Sequence, residues 1–252
     1  MKIQRTRILA SLIEKKEKNQ KSLSVLIDPD KIQNPSVLPN LLEVCKNCSI
    51  DYIFIGGSIL VNDTLEEIVS YVKENSKIPA VLFPGSNLHI NKSADAILFL
   101  SLISGRNPDL LIGQHVAAAP VLKNSNLEVL STGYILVGND ANTTVAHVSQ
   151  TSPIPTKKPE IAVCTAMAGE LLGMKLIYLD AGSGAKEEVP QEMINQVDKA
   201  IKIPLIVGGG INTTVKVATA YQSGADMIVL GTAVEKNINF IPEAAKIRDL
   251  MN

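Results

Sequence analysis

The segment 205–232 constrains this chain more than any other. It reads Leu205-Ile206-Val207-Gly208-Gly209-Gly210-Ile211-Asn212-Thr213-Thr214 and, after a helix-like stretch, Gly224-Ala225-Asp226-Met227-Ile228-Val229-Leu230-Gly231-Thr232. An apolar run of strand length ends in three glycines, and Asn212, Thr213 or Thr214 is placed to cap the following helix. A second apolar run, 227–230, ends in Gly231-Thr232. Glycines directly after a strand let backbone N–H groups approach an anion with no Cβ in the way, and the helix behind adds its positive end. An eight-stranded α/β barrel uses two such units in tandem, after its last two strands, to hold a phosphate. One turn of this kind often only closes a tight corner; a consecutive pair points to a phosphate ligand.

The rest of the chain repeats the alternation. Strands are expected at 22–27, 52–55, 80–83, 96–100, 132–137 and 176–179, with helical spacing at 7–18, 35–48, 62–75, 108–118, 159–173, 213–223 and 242–251. With the two runs in 205–232 there are eight strands, so a parallel sheet closed into a (β/α)8 TIM barrel is predicted, as one domain over residues 1–252. One unit is irregular. Between the third and fourth strands lie only about a dozen residues, rich in Pro, Gly, Ser and Asn, which is marginal for a crossover helix and its loops. The third outer helix is therefore expected to be reduced or missing.

Composition fits this frame. Hydrophobic residues make up 46% of 252, enough for one large enclosed core. A net charge of −1 gives no electrostatic case for nucleic acid. Cys45, Cys48 and Cys164 are too few for a disulfide scaffold, and the Cys45/Cys48 pair sits in a predicted helix with no second ligand pair. The first ten residues are charged rather than apolar, so no signal peptide is expected, and no apolar run approaches the roughly 18 residues of a membrane span. A cytoplasmic protein is expected.

Active sites of this fold sit at the C-terminal ends of the strands. Those ends supply Asp28, Asp30 and Lys31; Gly56, Gly57 and Ser58; residues 84–87; residues 101–106, including Arg106; residues 138–142; Asp180 to Gly184; and the glycines of 205–232. No lysine ends the sixth strand, which disfavours Schiff-base aldolase chemistry, and His89, His115 and His147 form no Ser/His/Asp set. Asp28 ends a buried strand, where an unpaired carboxylate is costly. Two readings are open: Mg²⁺ bound by Asp28 with Ser58 of the neighbouring strand, or Asp28 capping the turn of its own Asp-Pro-Asp sequence.

Several motifs together resemble one family. Leu26-Ile27-Asp28-Pro29-Asp30-Lys31, Gly56-Gly57-Ser58, Tyr178-Leu179-Asp180-Ala181-Gly182-Ser183-Gly184, Val207-Gly208-Gly209-Gly210-Ile211 and Gly231-Thr232 are similar, in order and spacing, to the geranylgeranylglyceryl phosphate synthase family. The resemblance runs from about residue 20 to the end and includes residues 101–108. It implies a prenyltransferase of ether phospholipid biosynthesis, moving a geranylgeranyl group from its diphosphate to the 3-hydroxyl of sn-glycerol 1-phosphate and releasing pyrophosphate. By analogy, Asp28 and Ser58 hold Mg²⁺ on the prenyl diphosphate. Tyr178, Leu179, Asp180, Ala181, Gly182, Ser183, Gly184, Gly209, Gly210, Gly231 and Thr232 hold the glycerol phosphate.

Asp180 and Tyr178 are the expected catalytic residues, with Asp180 orienting or deprotonating the hydroxyl. The family's motif usually carries Glu at this position, one methylene longer; the other role for Asp180 is a structural acceptor for the backbone of 182–184. Lys31 and Arg106 are candidate cations for the diphosphate, or simply solvated. A long apolar groove is expected to leave the barrel mouth near the reduced third unit, past Leu88, Ile90, Phe99, Leu100 and Ile103. Rival readings are the family's heptaprenyl-transferring relatives, which share the motifs, and a sugar-phosphate isomerase or synthase barrel, for which Asp180 lacks an obvious partner. Barrels of this kind often pair through outer helices, so a homo-oligomer is expected.

Overall fold

Eight apolar runs pair side by side and close on themselves. The computed structural model describes residues 8–32, 37–58, 62, 64–138 and 143–252. In chain order the elements are α1 (Ile8–Glu17), β1 (Ser22–Ile27), α2 (Val37–Asn47), β2 (Tyr52–Gly57), α3 (Leu65–Asn75), β3 (Ala80–Pro84), β4 (Ala96–Leu102), α4 (Gln114–Lys123), β5 (Glu128–Leu136), α5 (Thr144–Ser149), α6 (Pro159–Leu171), β6 (Leu176–Asp180), α7 (Gln191–Ala200), β7 (Leu205–Gly208), α8 (Thr214–Gln222), β8 (Met227–Leu230), α9 (Thr232–Lys236) and α10 (Phe240–Met251). The strands form one closed parallel barrel in sequence order, with β8 returning to pair with β1.

Side chains two apart on a strand share a face, and that period separates two apolar layers. Tyr52, Phe54, Val81, Leu98, Leu130, Tyr134, Leu176, Tyr178, Ile206, Met227 and Val229 point into the barrel and pack together. Their neighbours Ile53, Ile55, Leu82, Ile97, Ile135, Ile177, Leu179, Val207 and Ile228 point outward, under the helices. Ile8 and Leu12 join the inner cluster. They do so because Glu128, at the start of β5, accepts hydrogen bonds from the backbone N–H of Ile8 (2.7 Å) and Leu9 (3.0 Å), satisfying the open end of α1.

The third unit is reduced as expected: β3 and β4 are joined by residues 85–95 with no helix. That connection is held locally, His89 Nδ1 accepting from the Gly85 N–H at 3.1 Å and Gln114 Oε1 from the Asn87 N–H at 3.2 Å.

Helices α7 and α9 form where none was expected, β4 runs to Leu102 rather than 100, α10 begins at Phe240 rather than 242, and four further places differ. The helix expected at 108–118 is a wide π turn, Asp109–Gly113, running into α4, which continues past Pro120 to Lys123. Strand β5 starts at Glu128 rather than 132, because Glu128–Ser131 pair with Ala96–Phe99 before β6 begins. The polar loop before α6 contains the short α5, where Thr143 accepts from Ala146 N. Helix α3 starts after Thr64, which makes no side-chain cap; Asn62, expected as a cap, donates instead to Asp30 at 2.9 and 3.1 Å, and Asp63 lies outside the described residues. At α8 the cap is Thr213, accepting from Lys216 N at 3.3 Å. Among the described residues no helix is long and apolar enough to cross a membrane.

Candidate active site

The strand ends enclose two adjoining cavities at the C-terminal rim of the barrel. The first is polar and centred on the barrel mouth. It is lined by Asp28, Lys31, Ser58, Tyr178, Asp180, Gly182, Ser183, Gly184, Gly209, Gly210, Gly231, Thr232 and Glu235, among others. The second is apolar and runs outward over the reduced third unit toward α4, past Ile90, Leu98, Phe99, Leu100, Leu110, His115 and Leu122. Gly57, Ser58, Phe83, Tyr134 and Val145 line both, so the cavities meet there.

Backbone conformation builds the anion seat. Gly182, Gly184, Gly209 and Gly210 all have φ between 69° and 93°, where a side chain is strained. At Gly209 a Cβ would also stand 2.6 Å from Asp180 Oδ1 and 2.7 Å from the N–H nitrogens of Ala181 and Gly182. The two glycine turns, 182–184 and 208–210, therefore lie directly against each other.

Asp180 stands where β6 ends. Its Oδ1 accepts the Gly182 N–H at 2.8 Å and its Oδ2 accepts the Tyr134 hydroxyl at 2.7 Å. Both oxygens thus have a donor, which makes the ionised form tolerable in a buried place. Burial pushes its pKa up, and the hydrogen bonds from Tyr134 and Gly182 oppose that rise without cancelling it. Burial first, and the Asp180 charge second, push the phenol of Tyr178 well above its ordinary value. Tyr178 stacks on Phe83 (centroids 5.5 Å apart) and meets Tyr134 edge-on at 5.5 Å. Its hydroxyl lies against Gly208, where a Cβ would come within 2.4 Å.

Asp28 caps its own turn and also faces the polar cavity. Its Oδ1 accepts the Asp30 N–H at 3.2 Å, capping the 3₁₀ turn Pro29–Lys31, while its carboxylate lies against Gly57 and lines the polar cavity beside Ser58. Among the described residues no group of three or more His, Cys, Asp or Glu gathers as a metal site. One carboxylate and one hydroxyl are hard oxygen donors of the kind Mg²⁺ takes when water and substrate phosphate complete its shell. The donor set fits that ion.

Lys31 Nζ is 3.0 Å from each Glu235 oxygen, 3.4 Å from Asp28 Oδ2 and 3.4 Å from Ser183 Oγ. Burial pushes its pKa down most, but Glu235 and Asp28 together raise it above the ordinary value, so it is a firm cation.

Other expected residues fall elsewhere. Arg106 folds back to donate to the carbonyls of Gly105 (2.6 Å) and Ile103 (3.4 Å) and lines neither cavity. Leu179 and Ala181 point out into the helix-facing core, so only their backbone is near the seat. Of the expected groove residues, Ile90, Phe99 and Leu100 line the apolar cavity, whereas Leu88 is 85% exposed and Ile103 packs at Gly133 and Gly169. Three residues were missed in sequence: Tyr134, His115 and Glu235. His115 packs edge-on against Phe99 at 4.3 Å, its Nδ1 is buried without a hydrogen-bond partner, and burial lowers its pKa. The period-two pattern of β5 marks Tyr134 as inward, but nothing in one dimension brings it to Asp180.

A closed (β/α)8 barrel with a glycine-built anion seat, a buried carboxylate and an adjoining apolar groove defines the class of this molecule. The chain belongs to the PcrB family, whose model matches residues 15–250. It is 50% identical over 239 residues, 95% of this chain and 94% of the relative, to a geranylgeranylglyceryl phosphate synthase of Chitinophaga pinensis. To the enzyme of that name from Pyrococcus furiosus it is 45% identical over 227 residues, 90% of this chain and 89% of the relative. The crystal structure of (S)-3-O-geranylgeranylglyceryl phosphate synthase from Thermoplasma acidophilum in complex with its substrate sn-glycerol-1-phosphate superposes with a TM-score of 0.89 at 32% identity, covering 98% of each chain. A tryptophan synthase α-subunit from Pyrococcus furiosus, at 13% identity and a TM-score of 0.56, shares the barrel alone.

Proposed function

We propose that the protein joins a geranylgeranyl group to the 3-hydroxyl of sn-glycerol 1-phosphate by an ether bond, releasing pyrophosphate. One observation carries this reading: a polar anion seat and an apolar groove meet at Tyr134, Phe83 and Ser58, within reach of a buried carboxylate. The relatives named above carry the same activity in their names, and one was crystallised with the same glycerol phosphate.

The glycine turns at 182–184 and 208–210, with Gly231 and Thr232, bind the glycerol phosphate and set its hydroxyl beside Asp180. The apolar groove takes the prenyl tail and excludes water from the allylic carbon. In the reaction the bond from the allylic carbon to the diphosphate oxygen breaks, the bond to the glycerol oxygen forms, and the hydroxyl proton passes to the Asp180 carboxylate. Holding both partners in place removes most of the entropic barrier. Asp28 and Ser58 would hold Mg²⁺, which when bound would supply charge neutralisation for the departing pyrophosphate. Lys31 adds a fixed positive charge at the same rim.

The assay is incubation of the protein and Mg²⁺ with radiolabelled sn-glycerol 1-phosphate and a ladder of prenyl diphosphates. Ether product with a preference for the twenty-carbon chain is expected. A preference for the thirty-five-carbon chain moves the reading to the heptaprenyl relatives, and no product with any chain overturns it.

We further propose a homo-oligomer paired through outer helices. Helices α4 and α6 carry apolar residues on their solvent faces as well as inward, among them Val116, Ile161, Met167 and Leu171. A helix apolar all round is normally covered. Light scattering after gel filtration tests this: a monomer at micromolar concentration contradicts it.

A further inference from the structure

We propose that Tyr134 is the positioning residue for the attacking hydroxyl, donating its phenolic proton to Asp180 Oδ2 and so aiming the carboxylate at the junction of the two cavities. This rests on the function proposed above and adds a residue to it.

Three observations converge on Tyr134. The hydrogen bond to Asp180 is 2.7 Å long and buried, joining neighbouring strands β5 and β6. The register sets Tyr134 opposite Tyr178 and Leu136 opposite Asp180, so the ring of Tyr134 rises along the barrel wall to reach the carboxylate at the rim. Asp180 lines only the polar cavity, whereas Tyr134 lines both. Tyr134 therefore stands at the junction where the allylic carbon would meet the hydroxyl, in position to aim the Asp180 carboxylate toward it.

The carboxylate has one degree of freedom left. Oδ1 is fixed by the Gly182 N–H, and the Gly209 backbone closes off that side. What remains is the direction of Oδ2, and the Tyr134 hydroxyl sets it. Each carboxylate oxygen accepts about two hydrogen bonds, so Oδ2 keeps one lone pair for the substrate hydroxyl. Tyr134 itself stays protonated, because burial and the adjacent Asp180 charge push its phenol well above the ordinary value. It therefore orients and does not exchange the reacting proton. The groups facing Asp180 are Tyr134 from β5, Tyr178 from β6 and the Gly182 N–H; the charged groups Asp28, Lys31, Glu235 and Lys236 line the same cavity.

The test is Tyr134→Phe, which keeps the ring and its packing. Turnover is expected to fall about 10- to 100-fold with KM for glycerol phosphate within about twofold. The acid limb of the kcat profile is expected to move up by about one pH unit, since a donor that favours the ionised carboxylate is gone. Incorporating 3-fluorotyrosine at 134, a stronger donor, should move the limb the other way. In an Asp180→Asn background the same Phe substitution should add nothing, because the two act as a unit. An unmoved acid limb in both Tyr134 variants, or a full independent loss in the Asn background, overturns the proposal. Carbon-13 NMR titration of Asp180 in wild type and Tyr134→Phe reads the same shift without turnover. If the wild type makes no ether product, the functional reading fails, while the titration still decides whether Tyr134 governs the carboxylate.

Discussion

Lys31 and Glu235 face each other across the seam of the barrel. One follows β1 and the other lies in α9 behind β8, and Lys31 Nζ is 3.0 Å from both carboxylate oxygens. Because both residues line the polar cavity, a phosphate arriving there competes with Glu235 for the same cation. Glu235→Gln removes the competitor and one repelling charge. It is expected to tighten binding of sn-glycerol 1-phosphate by about two- to fivefold, the scale of a partly exposed ion pair. Isothermal titration reads this directly; weaker binding would show that Glu235 is needed to aim Lys31.

Gly209 is where backbone conformation and site geometry coincide. Its φ is +78°, and a Cβ would stand 2.6 Å from the carboxylate of Asp180. Gly209→Ala is expected to lose at least about 100-fold in kcat/KM and roughly 1–3 kcal/mol of stability from strain. Denaturant melts and steady-state kinetics on the same preparation check both. Near wild-type turnover would mean the seat tolerates a methyl group and lies elsewhere.

His115 ties the outer helix α4 to the apolar groove. Its Nδ1 is buried with no partner and burial lowers its pKa, so the folded protein disfavours its charged form. The folded state then binds fewer protons than the unfolded one, and stability falls as pH drops below the unfolded value of about 6.5 toward the lower folded value. His115→Gln should flatten that part of the profile, seen as a smaller difference in Tm between pH 7 and pH 5. An unchanged difference would place the acid sensitivity on other groups.

Asp28 caps its own turn and also faces the cavity, and the two roles separate on substitution. Asp28→Asn keeps an oxygen for the Asp30 N–H but loses the charge. It should retain most of its stability, change Tm by only a few degrees, and lose magnesium-dependent turnover by about 100-fold or more. Full turnover with unaltered magnesium response would remove Asp28 from the metal.

The sequence made much of this visible, for identifiable reasons. Eight strands and the reduced third unit follow from apolar run lengths and from the dozen or so residues before β4. The glycine turns were legible because positive φ and close backbone approach demand that residue. What stayed hidden depends on the third dimension. Tyr134 reads as one more aromatic in a strand until the β5–β6 register puts it beside Asp180. His115 lies on the inward face of α4, but no spacing says that face borders a groove. Arg106 stands at a strand end like a phosphate ligand, yet carbonyls of its own loop capture it. Local backbone acceptors of that kind leave no trace in composition.

The account rests on one anion seat placed beside Asp180, and a crystal structure with sn-glycerol 1-phosphate tests it most directly. The phosphate is expected between the 182–184 turn, Gly209-Gly210 and Gly231-Thr232, with the 3-hydroxyl within about 3.2 Å of an Asp180 oxygen. A phosphate bound away from those turns, or a hydroxyl pointing away from Asp180, would contradict it.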